Sequence, residues 1–367
     1  MRLMRRWLWI ASVLAMLPCA RAAAQPAPPQ PSGAGAPRWE VEFHGGGLVS
    51  STPESGTFAL PATGPLVPPS FNRPVSSWYF GDGSFQVNQF PNVRQSGILA
   101  PLDGALQSRM VTRETGGVFG LRLTRRISSR VAAELNADYA TGPLAFAGDA
   151  TSAMETARSS FITAFNGLFI SPLIASRTVN SSLALTDNEG SQILTTGAVR
   201  FTLLEARGWA PYVVGGVGAL SVLGDAPQAV LTGTYQAVFS IPGLPVPPAT
   251  MTQTDSVTVT SSMDSGVVWV FGGGVRLLMS EKWGLRIDIR DHMHSNTLTT
   301  RVSASPVLPP SSFGTYLTST FNNPPLVFSG SPLNPSTLSV PLNEFVTFSG
   351  EGVVHQVAIT TGFSWRF

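Results

Sequence analysis

The chain has 367 residues, 12% of them charged, a formal net charge of +2 and a mean hydropathy of +0.17. That charge fraction is about half of what a soluble globular domain carries, which argues for a chain that places apolar surface outside water. The 36 glycines and 30 prolines argue against a helical bundle, and a basic excess of two residues with Lys282 as the single lysine gives no case for nucleic-acid binding.

Residues 1–24 read as a signal peptide. Arg2, Arg5 and Arg6 precede an apolar run over 7–17, and Ala22-Ala23-Ala24-Gln25 forms a small-residue cleavage site. The apolar run is too short to anchor the chain in a bilayer, and Pro18 directly before Cys19 excludes a lipoprotein signal. Cys19 is the only cysteine and leaves with the signal, so the exported chain has no disulfide, thiolate nucleophile or cysteine metal site. Loss of Arg2, Arg5, Arg6 and Arg21 takes the net charge from +2 to −2. Residues 25–38 form a proline-rich periplasmic spacer, and 39–367 form the folded domain.

No remaining segment reads as a transmembrane helix. The nearest, residues 209–224, is glycine-rich, contains Pro211 and is too short to span. An exported chain can also cross a membrane as a closed β-barrel, whose strands need only about 9–11 alternating residues. Proline cannot donate to a strand ladder, and in the exported chain all prolines but Pro211 cluster in 26–37, 53–101, 143–172, 227–248 and 306–341.

The proline-poor stretches predict eight strands: 39–49, 116–127, 130–140, 194–206, 209–222, 266–279, 283–292 and 353–367. Four long connections (50–114, 141–193, 223–265 and 293–352) alternate with three tight turns, as in an outer-membrane barrel with short periplasmic turns and long extracellular loops. The fold class expected is therefore all-β: a transmembrane antiparallel up-and-down β-barrel of eight strands. If β-capable loop pieces such as 256–261 also span, the count rises to ten or twelve; the preferred reading takes them as extensions beyond the membrane.

Alternation within the strands supports a membrane barrel. In the seventh strand Trp283, Leu285, Ile287 and Ile289 share one face, and Gly284, Arg286, Asp288 and Arg290 the other. In the eighth, Val357, Ile359, Phe363, Trp365 and Phe367 oppose Gln356, Thr360, Ser364 and Arg366. Trp39, Trp209, Trp283 and Trp365 stand near strand ends, as an aromatic belt would.

The segments 211–220 (PYVVGGVGAL), 271–292 (FGGGVRLLMSEKWGLRIDIRDH) and 363–367 (FSWRF) resemble the OmpA/OmpX-like eight-stranded outer-membrane β-barrel family, with the likeness running over 39–367. The resemblance implies a porin-like barrel domain, and it implies that Phe363, Trp365 and Phe367 form the signal read by the barrel-assembly machinery. The loops are longer and richer in proline, serine and threonine than in small family members. No peptidoglycan-binding domain follows the barrel, so tethering to the cell wall is not implied.

The inward positions predict a lumen charge network of Glu40, Glu42, Arg122, Glu134, Asp138, Arg200, Arg276, Arg286, Asp288, Arg290 and Arg366. Inside a barrel just wide enough to be filled by side chains, these charges must pair or stay hydrated. The preferred reading is a charge-plugged barrel with a structural or surface-interaction role. A narrow, weakly selective diffusion pore is the alternative. His292, His294 and His355 are weak metal candidates, because an H-x-H on a strand puts both rings on one face and a cross-strand third could join them. His294-Ser295-Asn296 fails the pattern of lipid-A deacylase barrels, which need His and Ser two apart and a Glu soon after; the next Glu is Glu344. No nucleophile elbow, phosphate loop or HExxH motif is present, so no enzyme activity and no cofactor are expected.

Residues 153–169 predict a short amphipathic helix, with Phe161, Phe165, Leu168 and Phe169 on one side, packed over the lumen. The expected product is a monomer in the cell outer membrane of a Gram-negative-type bacterium. Its expected partners are outer-membrane lipid and lipopolysaccharide, the barrel-assembly machinery and an unidentified extracellular partner of the loops.

Overall fold

The structure is a computed structural model that describes residues 38–51, 73–76, 80, 88, 91–102, 105, 109–168, 174–188, 190–205, 208–240, 243, 245, 247–304, 326–329 and 345–367. Residues 1–24, read as a signal peptide, and all but the last residue of the predicted spacer lie outside the described residues.

Eight strands close a ring: β1 (Trp39–Ser50), β4 (Gly116–Arg126), β5 (Val131–Ala140), β8 (Gln192–Thr202), β9 (Trp209–Val222), β12 (Gly266–Leu278), β13 (Trp283–Ala304) and β15 (Phe345–Arg366). Each pairs antiparallel with its neighbours, and β15 returns to β1 with Glu40 opposite Arg366 and Val49 opposite Val357. The ring leaves no free barrel edge, as a bilayer requires. At one end the turns are short: Ser128 N–H donates to Val131 O at 3.0 Å, and Met279 N–H to Trp283 O at 3.1 Å. At that same end Phe367 N–H donates to Trp39 O at 3.0 Å, which ties the first and last strands together. This is the periplasmic end in barrels of this kind.

Period-two alternation sets the two faces. Outward positions are apolar and exposed: Phe43 is 66% accessible, Phe119 61% and Val199 56%. An exposed apolar band around a closed barrel is what hydrocarbon accepts and water does not. The chain is thus a transmembrane, outer-membrane-type β-barrel of eight strands, and the ten- or twelve-strand alternatives fall away.

They fall away because the extra strands pair elsewhere. β13 and β15 are each 22 residues long, and they leave the barrel still paired to one another, from Ser295–Val353 to Ser303–Phe345. There β11 (Ala249–Met263) pairs with β13, β10 (Gln228–Phe239) with β11, and β7 (Ile174–Thr186) with β10. These five strands form an extramembrane sheet. The segment 256–261 lies in β11, as its β-capable sequence indicated.

The helix α2 (Gly148–Leu168) is longer than its periodicity predicts, beginning five residues earlier. Its seat also differs. Met154, Ala157, Phe161, Ala164 and Phe165 are buried against Leu231, Tyr235, Val257 and Val259 of the extramembrane sheet, so the helix covers that sheet and not the lumen. The reason is area: β10 and β11 offer a broad apolar face, with Leu231, Tyr235, Val257 and Val259, that a helix stripe can bury. Phe80, Phe161, Phe165 and Tyr235 stack in a column at centroid spacings of 5.2, 4.2 and 5.4 Å. The short helix α1 (Pro91–Ser96) packs on α2, and the short strands β3 (Val111–Arg113) and β6 (Leu144–Phe146) pair beside it.

The opposite face of the sheet is polar. Its central cross-strand rows read Ser182–Thr232–Ser256, Asn180–Thr234–Thr254 and Thr178–Gln236–Thr252 across β7, β10 and β11, flanked by Ala184–Val230–Thr258 and Ser176–Val238–Thr250. Two further short strands, β2 (Arg73–Ser76) and β14 (Leu326–Ser329), pair parallel with one another.

A charge network across the barrel lumen

All eleven inward charges are buried inside the barrel, where they fall into three layers. At the periplasmic end Glu40 of β1 accepts from Arg366 Nε at 3.0 Å, with Arg276 at 3.7 Å. In the middle, Arg122 Nη1 of β4 meets Glu42 at 2.7 Å and Asp288 at 2.6 Å. Glu134 of β5 accepts from Arg286 at 2.8 Å, Arg290 at 2.7 Å and Arg200 at 3.2 Å. Above them Asp138 pairs with His44 Nε2 at 2.7 Å and with Asn136.

Arg286 is the centre of the arrangement. Its side chain is 0% exposed and binds Glu134, Glu42 at 3.3 Å and Asp288 at 3.2 Å. In the ring order, β13 and β5 stand four strands apart out of eight, so the Arg286–Glu134 pair braces the barrel across its full width. Bidentate guanidinium forks suit such a shared carboxylate cage better than lysine ammonium groups would.

Tyr212 of β9 completes the cage. Its ring lies 4.4 Å from the Arg286 guanidinium carbon, its hydroxyl accepts from Arg286 Nε at 2.6 Å, and the same hydroxyl bonds Asp288. Sequence reading misses this residue because Pro211 and the surrounding glycines blur the alternation of β9. Alternation puts His44 and Gln356 on the inward face but leaves them out of the charge network, and it passes over Asn136 and Gln192; all four line the same interior, with Gln356 donating to Gln192 at 3.1 Å. Two inward glycines make room for the larger groups. A Cβ at Gly274 would lie 2.3 Å from the Tyr212 hydroxyl and 2.6 Å from Asp288, and one at Gly362 would lie 2.3 Å from Glu42.

Toward the outer end the interior changes character. Leu48, Val118, Ala140, Leu194, Leu220, Val268 and Ala358 pack together as an apolar layer. Arg113, above the barrel, donates to Gly190 O at 2.9 Å, and burial lowers its pKa to about 10.

The three histidines do not converge. His292 and His294 face inward, while His355 is 46% exposed on the outer surface, where it pairs with Asp291 at 2.8 Å. The register sets Met293, not a histidine of the inward face, opposite His355, so the third ligand of the H-x-H idea points away from the other two. His294 and Ser295 likewise take opposite faces, so they cannot act on one substrate atom. Among the described residues no group of three or more His, Cys, Asp or Glu side chains is placed to hold a metal ion.

Trp39, Trp209, Trp283 and Trp365 all point outward near the periplasmic rim, between 38% and 44% exposed. Phe363, Trp365 and Phe367 also face outward, and the Trp283, Phe363, Trp365 and Phe367 rings stack against one another. Trp269, outside that set, is 55% exposed and stands toward the opposite rim.

Comparison with known proteins gives distant likenesses. The outer membrane protein OprG from Pseudomonas aeruginosa aligns over 91% of this chain and 99% of its own at 9% identity, with a TM-score of 0.37. A FadL homologue from Pseudomonas aeruginosa aligns over 90% of each chain at 9% identity and a TM-score of 0.18. The toluene transporter TbuX from Ralstonia pickettii aligns over 91% of this chain and 90% of its own at 9% identity and 0.19. No protein-family model and no curated protein matches the chain.

Proposed function

We propose that this chain is a non-conducting outer-membrane barrel, of the OmpA/OmpX-like kind in architecture, whose charge-plugged lumen serves as a rigid mount for an extramembrane sheet-and-helix unit that makes surface interactions. The observation that carries the reading is Arg286, fully buried and bonded to carboxylates on β1, β5 and β13. A pore would have to break several of these contacts at once, and stripping a buried cation of its partners costs several kcal/mol. The apolar layer above is a second barrier to ions. The proposed setting is the Gram-negative outer membrane, with delivery by a cleaved signal peptide and the barrel-assembly machinery, in contact with lipid and lipopolysaccharide. The proposed state is a monomer, with no cofactor and no catalytic group.

The test is single-channel conductance of the refolded chain in a planar bilayer, beside Arg286→Ala and Arg290→Ala. Silence from the native chain supports the plug. Steady conductance from the native chain, altered by either substitution, would replace it with the narrow-pore reading.

A further inference from the structure

We propose that the polar face of the extramembrane sheet is a contact surface for the neutral sugars of outer-leaflet glycolipid. This rests on the reading of the chain as a surface-presenting outer-membrane barrel and names what its sheet would touch.

The two faces of the sheet are chemically opposite. One is buried under α2; the other presents hydroxyl and amide groups in register, as in the rows Ser182–Thr232–Ser256 and Asn180–Thr234–Thr254. Thr234 and Thr254 bond one another across the strands at 3.1 Å. On the central strands these groups are half-buried, and on β7 they are exposed. The lattice has fixed spacings of about 4.8 Å between strands and about 6.8 Å along each strand.

This chemistry narrows the occupant. Hydrocarbon would require apolar side chains, and phosphate or nucleic acid would require clustered arginine or lysine. A protein partner would be anchored by aromatic or arginine residues at the centre of the patch, where these rows offer only Ser, Thr, Asn and Gln. Serine, threonine and amide groups both donate and accept, as sugar hydroxyls do.

Position supplies the second argument. The outward stripe of β13 runs Trp283, Leu285, Ile287 and Ile289 through the lipid-facing belt, passes Asp291 and Met293, and continues as Ser295, Thr297, Thr299, one arginine (Arg301) and Ser303. The polar face is therefore the direct extension of the lipid-facing surface. It stands beyond the hydrocarbon boundary, where the saccharides of an outer-leaflet glycolipid lie.

The experiment uses the full exported chain refolded in detergent micelles, with delipidated polysaccharide released from smooth lipopolysaccharide as probe and lipid A as control. Hydrogen exchange is read on the native chain, and binding is compared with a Thr232→Val, Thr234→Val, Thr258→Val variant, which keeps β-branched shape while deleting three hydroxyls of the same face. The expected result is polysaccharide-dependent protection on β10 and β11 and about tenfold weaker polysaccharide binding by the variant, with lipid A binding unchanged. Absence of polysaccharide binding overturns the proposal, as does binding that the variant leaves intact or a dimer sealed through this face. If the variant does not fold, the native exchange pattern decides: protection elsewhere, or none, refutes it. A conducting barrel would overturn the plugged-lumen reading and leave this result standing.

Discussion

Replacing Arg286 by Met and Glu134 by Gln tests the lumen network by the order of their effects. The central layer holds three carboxylates (Glu42, Glu134 and Asp288) and four arginines (Arg122, Arg200, Arg286 and Arg290). Arg286→Met removes contacts to all three acids, yet Arg122, Arg200 and Arg290 still hold them. Breaking a buried pair from one side costs about 3–5 kcal/mol, and this partial compensation puts the loss near about 3 kcal/mol. Glu134→Gln is worse, because it takes from Arg200 the carboxylate it pairs with and from Arg290 the nearer of its two, leaves Arg286 only Glu42 and Asp288, and leaves two acids for four cations. Its loss is expected at about 5 kcal/mol, the upper end of the same range. Urea unfolding in phospholipid vesicles, followed by the fluorescence of the lipid-facing tryptophans, measures both. Losses below about 1 kcal/mol for both variants, or a larger loss for Arg286→Met, would refute the claim that direct pairing holds the lumen charges.

Other outcomes follow from single contacts. Tyr212→Phe leaves Arg286 Nε and Asp288 short of a buried partner and is expected to cost about 1–3 kcal/mol by the same urea assay. Gly274→Val drives a side chain into the Tyr212 hydroxyl and Asp288, and it should sharply lower the yield of heat-modifiable folded barrel on gels. Phe161→Ala removes the middle of the aromatic column and is expected to cost about 3–5 kcal/mol. It should raise hydrogen exchange in β7 and β10 while leaving β1, β4 and β5 unchanged. The hydrogen bond from Arg158 (2.7 Å) lowers the pKa of the Glu155 carboxyl. The stability this pair lends α2 is therefore complete above the unfolded carboxylate value and disappears as pH falls through the lowered folded one. Exposure keeps it below about 1 kcal/mol, and Glu155→Gln should abolish the acid-dependent part of α2 exchange.

The membrane-spanning strands were legible because two constraints act on them together. Each must alternate apolar and polar residues to face lipid and lumen, and each must avoid proline to keep its ladder. The predicted bounds 209–222 coincide with those of β9, and those of β1 differ by one residue. Beyond the membrane the lipid-facing stripe is lost, and the apolar residues of β10 and β11 turn toward α2 instead. β10 alternates Ala229, Leu231 and Tyr235 with Thr232, Thr234 and Gln236, yet it lies within the proline cluster 227–248 that reads as a loop, and residues 293–304 and 345–352 keep their strand pairing without a lipid-facing stripe. The same loss hid where α2 docks: its apolar face was readable, but its cover was a sheet assembled from three distant segments. The inward charges stood out by alternation in β1, β5, β13 and β15. Tyr212 did not, and the opposed orientation of His355 follows from a cross-strand register that no local pattern contains.

Because β13 and β15 are continuous from lipid to exterior, one parity governs two environments. A single residue inserted near 293–297 would leave Ile287 and Ile289 facing lipid but turn Leu298 and Val302 outward and Thr299 beneath α2. Insertions of two would preserve both faces. Natural length variation at this junction should therefore come in even steps, whereas the turns at the opposite end, which carry no such shared frame, are free to vary by one.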